Sequence, residues 1–351
     1  MQQKDFRQGK RTGSRPRLSI IMPVYNAQDT VSFSLDSFLH LSEELLRRHG
    51  LQSHLYIVDD CSTDDTVQVI NQTLQFHDQI TLIKNNKNLG PGLSRNEALL
   101  LIKDGYVGFL DADDEIISGG YIDAYIEGIK RGADWITFNG WFFDGDSKKS
   151  KYDFDRLTDN TQQLATRCRK GELDGSVIFT IYSLKLLRDN KLQFPAGYYE
   201  DISFAYKALL TAKSRYIVDV PGYRKHSTCS SIVNTISEKH INGLIDAWLR
   251  VDAILEKDFS LDFQFDRAYG FYGYVANLVS SIALSDHPVQ DKERFFSLLF
   301  SRVESALKGQ SDDYPIKTKK DMLTNYFLEN FSSKKGRFVP NIITFHKELF
   351  N

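Results

Sequence analysis

Gly108-Phe109-Leu110-Asp111-Ala112-Asp113-Asp114 is an apolar run that ends in three carboxylates within four positions. Because side chains alternate along an extended segment, Asp111 and Asp113 leave on the same side, whereas Ala112 turns away. Such a pair suits a hard divalent cation, Mg²⁺ or Mn²⁺, which usually completes its coordination with substrate phosphates. The competing interpretation is an acidic turn that caps the next helix, at Asp114 or Ser118.

The composition is that of a soluble globular protein, with 41% apolar and 26% charged residues among 351. A formal net charge of −2 gives no reason to expect nucleic acid as a partner. Cys61, Cys168 and Cys229 are too scattered for a disulfide framework or a metal-binding CxxC pair, and they suit a reducing cytoplasm. Residues 1–17 are polar and basic, which predicts a disordered lead-in. A cationic arm near an anionic membrane surface is the alternative.

Apolar runs alternate with amphipathic segments through the first third of the chain. The apolar segment 18–26 predicts a buried strand that leads into a loop, and further strands are predicted at 55–58, 80–83 and 106–110. Helices are predicted at 30–48, 64–76 and 90–102. This alternation predicts an α/β fold of βαβ units with a mostly parallel sheet.

Polar residues recur where these predicted strands end. Asn26 follows the first strand, Asp59 and Asp60 follow the second, and Asp111 and Asp113 follow the fourth. Ligands of open α/β sheets bind outside the carboxyl ends of the strands. The repetition therefore predicts a combined nucleotide and metal site at this edge.

Six motifs follow one another along the chain: PVYN at 23–26, VDDCSTDDT at 58–66, NLGPGLSRN at 88–96, FLDADD at 109–114, YEDISF at 199–204 and YRKHSTCSSI at 223–232. On the first four of them, the first half of the chain resembles the family-2 glycosyltransferases, which have a GT-A (Rossmann-like) fold, and the last two extend the resemblance. Two departures are Cys61, where the family more often has Gly, and Ser94, where Ala is commoner.

The resemblance implies a nucleotide-sugar donor, most often a UDP-sugar. Asp60 would accept a hydrogen bond from the base, with Asp59 as its neighbour or partner. The alternative role for Asp60 is to cap the helix that starts near 62–64. Arg95 would face the diphosphate or the acidic residues. The residues expected to shape the nucleotide pocket are Pro23, Tyr25 and Asn26.

The resemblance also implies metal and catalytic residues. Asp113 would bind Mn²⁺ or Mg²⁺, and Asp111 would contact the ribose or share the ion. His226 would complete the metal or diphosphate site. Because these enzymes generally invert the anomeric centre, a carboxylate must deprotonate the acceptor hydroxyl. Asp201 is the predicted base, held ionised at a helix N-terminus, and Glu200 would orient the acceptor or its loop.

The remaining third, 235–351, is predicted to be a mainly helical extension without a recognisable motif. The uncharged segment 268–284 is too short and too interrupted for a confident membrane span. Two roles stay open: packing against the catalytic domain or in a homo-oligomer, and interfacial contact near a lipid-linked acceptor. The basic residues that favour membrane contact are Lys317, Lys319, Lys320, Lys334, Lys335 and Arg337.

The resulting hypothesis is an inverting, metal-dependent glycosyltransferase with its catalytic domain at 18–234. It would transfer a sugar to a glycan or lipid-linked acceptor in bacterial surface polysaccharide synthesis, in the cytoplasm or at the inner face of the membrane. A non-catalytic nucleotide- or glycan-binding module is the alternative. A sugar nucleotidyltransferase is disfavoured, since the position for its phosphate loop reads PVYN at 23–26.

Overall fold

The computed structural model describes residues 17–144, 147–150, 157, 160–226, 236–259, 264–307, 316, 318–331 and 338–350. Several sequence features lie outside these ranges. They are the lead-in 1–16, motif residues 227–232 with Cys229, and the basic residues Lys317, Lys334, Lys335 and Arg337.

The first third of the chain forms the parallel βαβ layers that the sequence predicts. Strand β1 is buried along its whole length and pairs in parallel with β2 on one side and β4 on the other, while β2 pairs in parallel with β3. Helix α1 ends at Gly50, whose φ of 62° lets its N–H reach the carbonyl of Leu46. The elements are β1 (Leu18–Val24), α1 (Val31–His49), β2 (Ser53–Asp59), α2 (Thr66–Leu74), β3 (Ile80–Lys84), α3 (Pro91–Leu101) and β4 (Tyr106–Phe109).

The second part of the α/β region adds strands of both directions. Strand β8 pairs antiparallel with β4, β6 pairs antiparallel with β8 and parallel with β9, and β5 pairs antiparallel with β9. The elements are β5 (Glu115–Ile116), α4 (Ser118–Lys130), β6 (Trp135–Asp144), β7 (Ser147–Ser150), α5 (Thr161–Arg169), β8 (Thr180–Ser183), α6 (Leu184–Asp189), α7 (Glu200–Thr211) and β9 (Arg215–His226).

The sheet as a whole is therefore mixed rather than mostly parallel. Within the described residues its order is β3-β2-β1-β4-β8-β6-β9-β5, with β7 paired to β6. The parallel pairing is confirmed for the first four strands, whose carboxyl ends share one edge. The pairing of β5 with β9 brings the segment just after the acidic run beside the end of the last strand.

The C-terminal region is helical and has its own hydrophobic core, which begins at Ile236 and includes Trp248 and Phe296. Helix α8 packs against α5 and α7 of the α/β region. A buried ion pair joins Arg169 of α5 to Asp252 of α8 at 3.3 Å. The helices are α8 (Glu238–Phe259), α9 (Gln264–Leu284), α10 (Val289–Leu307), α11 (Lys319–Phe331) and α12 (Phe338–Phe350).

Among the described residues, no helix combines the length and the apolar character that a membrane span requires.

Candidate active site

The loops after β1 and β2 are tied together by side chains. Asn26 has a φ of 49°, its N–H donates to Ser62 Oγ at 3.0 Å, and its Oδ1 accepts from the N–H of Thr63 at 2.8 Å. Pro23 is buried within β1, whereas the Tyr25 side chain is half exposed at this edge. The first motif therefore builds the loop framework and leaves the Tyr25 ring open to a ligand.

Asp59 and Asp60, at the end of β2, are both buried but have different partners. Asp60 Oδ1 accepts hydrogen bonds from Asn85 Nδ2 and the N–H of Leu89, both at 2.8 Å. Asp60 Oδ2 accepts from the N–H of Gly90 at 2.7 Å. Asp59 Oδ1 accepts from the N–H of Ser62 at 3.2 Å. Asp60 therefore fixes the start of α3, a different helix from the one that the capping alternative named.

Arg95, on α3, is buried between two carboxylates. Its Nη1 donates to Glu200 Oε1 at 2.6 Å and its Nη2 to Asp111 Oδ1 at 2.9 Å. The guanidinium carbon also lies 5.4 Å from the ring centroid of Phe194. Of the two predicted surroundings of Arg95, the structure thus shows the acidic one. This contact joins the acidic run after β4 to the first residue of α7.

Asp114 is fully buried and connects the acidic run to β9. The Tyr223 hydroxyl donates to Asp114 Oδ2 at 3.0 Å and accepts from the N–H of Asp111 at 3.0 Å. Lys225 Nζ lies 3.4 Å from Asp114 Oδ2 and 3.6 Å from Asp111 Oδ2. Asp114 is therefore part of the charged centre and not merely a helix cap.

The charges in this cluster shift one another's pKa values. Burial raises the pKa of Asp114 to about 7, although Lys225 opposes the shift. For Asp111, burial acts in the same upward direction, but the charges of Lys225 and Arg95 prevail and lower its pKa. Asp111 is therefore the ionised carboxylate that two cations hold in place.

His226 lies beside the acidic run but its ring is turned towards Glu115. Its Nε2 is 2.7 Å from Glu115 Oε2, and its N–H donates to Asp114 Oδ1 at 2.8 Å. Arg224 Nη1 donates to the same Glu115 Oε2 at 3.0 Å. His226 thus neighbours the predicted metal site through its backbone, while the imidazole pairs with a carboxylate outside the predicted ligand set.

Glu200 and Asp201 are the first two residues of α7, as the sequence predicts, and Tyr199 before them has a strained φ of 58°. Glu200 is held by Arg95, whereas Asp201 is partly buried. Burial and the charge of Glu200 raise the pKa of Asp201 to about 7. Burial and the neighbouring acids thus act against the helix dipole, which favours the ionised carboxylate that the sequence predicts.

The acidic residues suit an ion shared with a phosphate ligand better than a closed cage of protein ligands. Within the described part of the chain, no group of three or more His, Cys, Asp or Glu side chains is placed to hold a metal. Mg²⁺ and Mn²⁺ nevertheless bind at one or two carboxylates when phosphates complete the coordination. Asp111 and Asp113 have this chemistry, so the residues fit such an ion, and the role of His226 there stays a prediction.

Sequence reasoning missed Tyr223, Lys225 and Glu115 as members of this site. Tyr223 and Lys225 are two positions apart on β9 and therefore point to the same side of the strand. That alternation was available in the sequence. What was missing is the pairing of β9 with β5, which brings Lys225 next to the acidic run.

Comparisons with known proteins point to one family. Residues 19–190 match the family described as glycosyl transferase family 2. The chain is 29% identical over 205 residues to poly(ribitol-phosphate) beta-glucosyltransferase of Bacillus spizizenii, over 56% of this chain and 30% of that protein. It is 37% identical over 97 residues to UDP-Glc:alpha-D-GlcNAc-diphosphoundecaprenol beta-1,3-glucosyltransferase WfaP of Escherichia coli, over 28% of this chain and 35% of that protein. The chain thus spans about a third of the length of these curated relatives.

A solved structure shares the fold over nearly the whole chain. It is the crystal structure of residues 1–349 of Staphylococcus aureus TarS in complex with UDP-GlcNAc, with a TM-score of 0.57 and 21% identity. The match covers 95% of this chain and 91% of that one. We conclude that residues 19–190 of this chain form a glycosyltransferase domain of family 2, with the GT-A fold.

Proposed function

We propose that this protein transfers a sugar from a nucleotide-sugar, a UDP-sugar in particular, to a hydroxyl group of a glycan or lipid-linked acceptor, with inversion at the anomeric carbon. The observation that carries the proposal is the convergence of Asp111 and Glu200 on Arg95. This network links the predicted diphosphate site to the start of α7, where Asp201, the predicted base, directly follows Glu200.

The donor nucleotide would lie across the loops after β1 and β2. Asp59 is better suited than Asp60 to accept the imide N–H of uracil, because three hydrogen bonds already use both oxygens of Asp60. The half-exposed Tyr25 ring is available to pack on the base. The UDP-glucose named for the WfaP relative and the UDP-GlcNAc bound to TarS support a uridine nucleotide.

The diphosphate would lie near Asp111 and Asp113, where a bound Mn²⁺ or Mg²⁺ would stabilise the negative charge of the leaving group. Members of family 2 generally depend on such a metal. Asp113 is the first choice for direct coordination, since Asp111 Oδ1 is already held by Arg95. Arg95 and Lys225 add fixed positive charge beside the site.

Asp201 would act as the general base. Its carboxylate would accept the proton of the acceptor hydroxyl while that oxygen bonds to the anomeric carbon. The bond from this carbon to the phosphate oxygen would break, and the nucleoside diphosphate would leave. Glu200 is unsuited to this role because its carboxylate is buried and bonded to Arg95. It would instead position the start of α7.

The proposed acceptor is a surface polymer or a lipid-linked glycan. The relatives named for poly(ribitol-phosphate) and for a diphosphoundecaprenol acceptor support a surface polymer or lipid-linked glycan. Helix α8 packs against α7, which carries Asp201. If the helical region begins near residue 235, this packing would place it beside the path by which the acceptor reaches Asp201. Lys319 and Lys320, at the start of α11, remain candidates for peripheral membrane contact.

A donor screen tests the proposed function. The protein is incubated with Mn²⁺ and a panel of UDP-, GDP- and dTDP-sugars, and slow release of the nucleoside diphosphate is measured. We expect release from a UDP-sugar that stops when EDTA is added. If every donor stays intact and none binds in a metal-dependent way, the protein is not a transferase of this kind.

A further inference from the structure

We propose that Lys225 is a resident counter-cation of the acidic cluster Asp111, Asp113 and Asp114, and that it makes divalent-metal binding conditional on the donor's diphosphate. The proposal deepens the proposed function, since it rests on the diphosphate site being where that function requires. It assigns a role to a residue that neither the sequence motifs nor the family resemblance singled out.

The ammonium group of Lys225 lies close to two carboxylates of the cluster. Lys225 Nζ lies 3.4 Å from Asp114 Oδ2 and 3.6 Å from Asp111 Oδ2. These are ion-pair distances without a short hydrogen bond. The same strand fixes the arrangement two residues earlier, where the Tyr223 hydroxyl joins Asp114 to the backbone of Asp111. Lys225 therefore lies between the two carboxylates that flank Asp113 in the sequence.

A metal ion would compete with Arg95 and Lys225 for the oxygens of Asp111. Arg95 Nη2 occupies Oδ1 and Lys225 faces Oδ2, so both oxygens of Asp111 already have cationic partners. A divalent ion that approaches Asp111 or Asp113 must tolerate the nearby ammonium charge or displace it. Without a nucleotide, Lys225 should therefore weaken metal binding.

The diphosphate of the donor would change the partners of Lys225. About 30% of the Lys225 side chain is exposed, so the side chain has surface that a ligand in the site can contact. The phosphate oxygens of the donor would give Lys225 a second anionic partner, and its shift towards them would leave carboxylate oxygens to the metal. Metal and nucleotide would thus favour each other's binding, and this coupling must be reciprocal. The donor would then assemble its own metal site.

The experiment measures Mn²⁺ binding to the full chain by the electron paramagnetic resonance signal of free Mn²⁺, with and without UDP. Values with UDP are corrected for the Mn²⁺ that UDP binds alone. We expect UDP to tighten Mn²⁺ binding by the wild type at least about fivefold, the lower end of common coupling. In Lys225→Met, Mn²⁺ binding without UDP should tighten by about tenfold, and the added effect of UDP should shrink.

Two further variants separate charge from structure. Lys225→Arg keeps the positive charge and should bind Mn²⁺ as weakly as the wild type without UDP. Lys130→Met removes a lysine that pairs with Glu127 on the exposed surface, and it should leave Mn²⁺ binding unchanged. Lys225→Gln is a second neutral variant, for the case in which the methionine disturbs folding, which circular dichroism would detect.

Four results would overturn the proposal. The first is that no protein binds Mn²⁺ at millimolar metal, and the second is that the wild type binds Mn²⁺ equally well with and without UDP. The third is that neither Lys225→Met nor Lys225→Gln binds Mn²⁺ more tightly than the wild type without UDP. The fourth is that Lys225→Arg shows the same tighter Mn²⁺ binding as the neutral variants. The proposed function can fail separately, since the Mn²⁺ measurement involves no sugar transfer. A protein that shows the coupling but cleaves no donor would refute the transferase and leave the role of Lys225 intact.

Discussion

At the residue scale, Asp59 and Asp60 are adjacent and both buried, yet their hydrogen-bond partners indicate different roles. Asp60 uses both oxygens to hold Asn85, Leu89 and Gly90 and thereby sets the start of α3. Asp59 receives one backbone hydrogen bond from Ser62. In the sequence the two carboxylates cannot be told apart, because the residues that bond Asp60 lie 25 to 30 positions further along the chain.

The Asp59→Asn and Asp60→Asn variants should separate the two roles. Asp60→Asn loses charge-assisted hydrogen bonds, so its free energy of unfolding should fall by about 1–3 kcal/mol. Asp59→Asn should cost less than about 1 kcal/mol of stability but should weaken UDP binding by about tenfold. Urea unfolding and calorimetric titration with UDP measure the two effects. A reversed pattern would assign base recognition to Asp60 instead.

The pKa of Asp201 sets a pH dependence. Since burial and Glu200 raise this pKa to about 7, the carboxylate becomes the protonated, inactive form as the pH falls. We expect kcat/KM to drop by about tenfold per pH unit below 7 and to level off above about 8. A rate profile from pH 5.5 to 9 checks this. A flat profile across pH 6–8 would exclude a base with that pKa.

The raised pKa of Asp201 also affects stability, with a defined sign. The folded protein holds this proton more tightly than the unfolded chain, whose aspartates titrate near their ordinary value of about 4. The contribution of Asp201 to the free energy of unfolding therefore decreases as the pH rises from about 4 through 7. Asp201→Asn should remove that part of the decrease, which urea unfolding at pH 5 and pH 8 would measure.

At the scale of elements, α3 and α7 approach each other closely at Gly92. A Cβ placed on Gly92 would lie 2.4 Å from Cγ of Glu200 and 3.0 Å from the carbonyl oxygen of Pro195. The missing side chain is what allows Arg95, one turn further along α3, to bond Glu200. The Asp111–Arg95–Glu200 network therefore depends on the packing of two helices as much as on its own charges.

Gly92→Ala and Gly119→Ala test this approach as a matched pair. A Cβ on Gly119, near the start of α4, would meet nothing within 4 Å, so alanine there should stabilise the protein by up to about 1 kcal/mol. Gly92→Ala must displace Glu200 and should reduce donor turnover at least about tenfold, despite the higher helix propensity of alanine. Thermal unfolding and donor turnover are the measurements. Normal turnover in Gly92→Ala would show that the position of Glu200 is not critical.

Local pattern predicted the first seven elements to within a few residues, because each carries its own periodicity and ends at a turn. The helix predicted at 30–48 is Val31–His49, and the strand predicted at 80–83 is Ile80–Lys84. The pairing of β8 with β4 and of β9 with β5 and β6 was not predictable, since local periodicity carries no information on distant partners. For the same reason, the sequence does not show that Lys225 lies beside the acidic run or that the His226 ring contacts Glu115.

At the scale of the whole molecule, a buried ion pair joins the catalytic and helical regions, between Arg169 of α5 and Asp252 of α8. Both side chains are almost fully buried. Removing one partner of such a pair leaves a buried charge uncompensated. The pair therefore holds α8 in place against the region that carries Asp201.

Arg169→Met should consequently reduce the free energy of unfolding by about 3–5 kcal/mol. The control is Arg48→Met, which breaks an exposed pair with Asp123 at 2.9 Å and should cost less than about 1 kcal/mol. Urea unfolding of both variants gives the comparison. Equal, small losses would mean that helix packing alone holds the two regions together.

The proposed mechanism requires the nucleotide-sugar site and the base at Asp201 to form one active site. It is tested by comparing the wild type with Asp201→Asn in calorimetric donor binding and in transfer rate with the UDP-sugar that the donor screen identifies. We predict binding within about threefold of the wild type and a rate at least about a hundredfold lower. Loss of donor binding, or an unchanged rate, would contradict the assignment of Asp201 as the base.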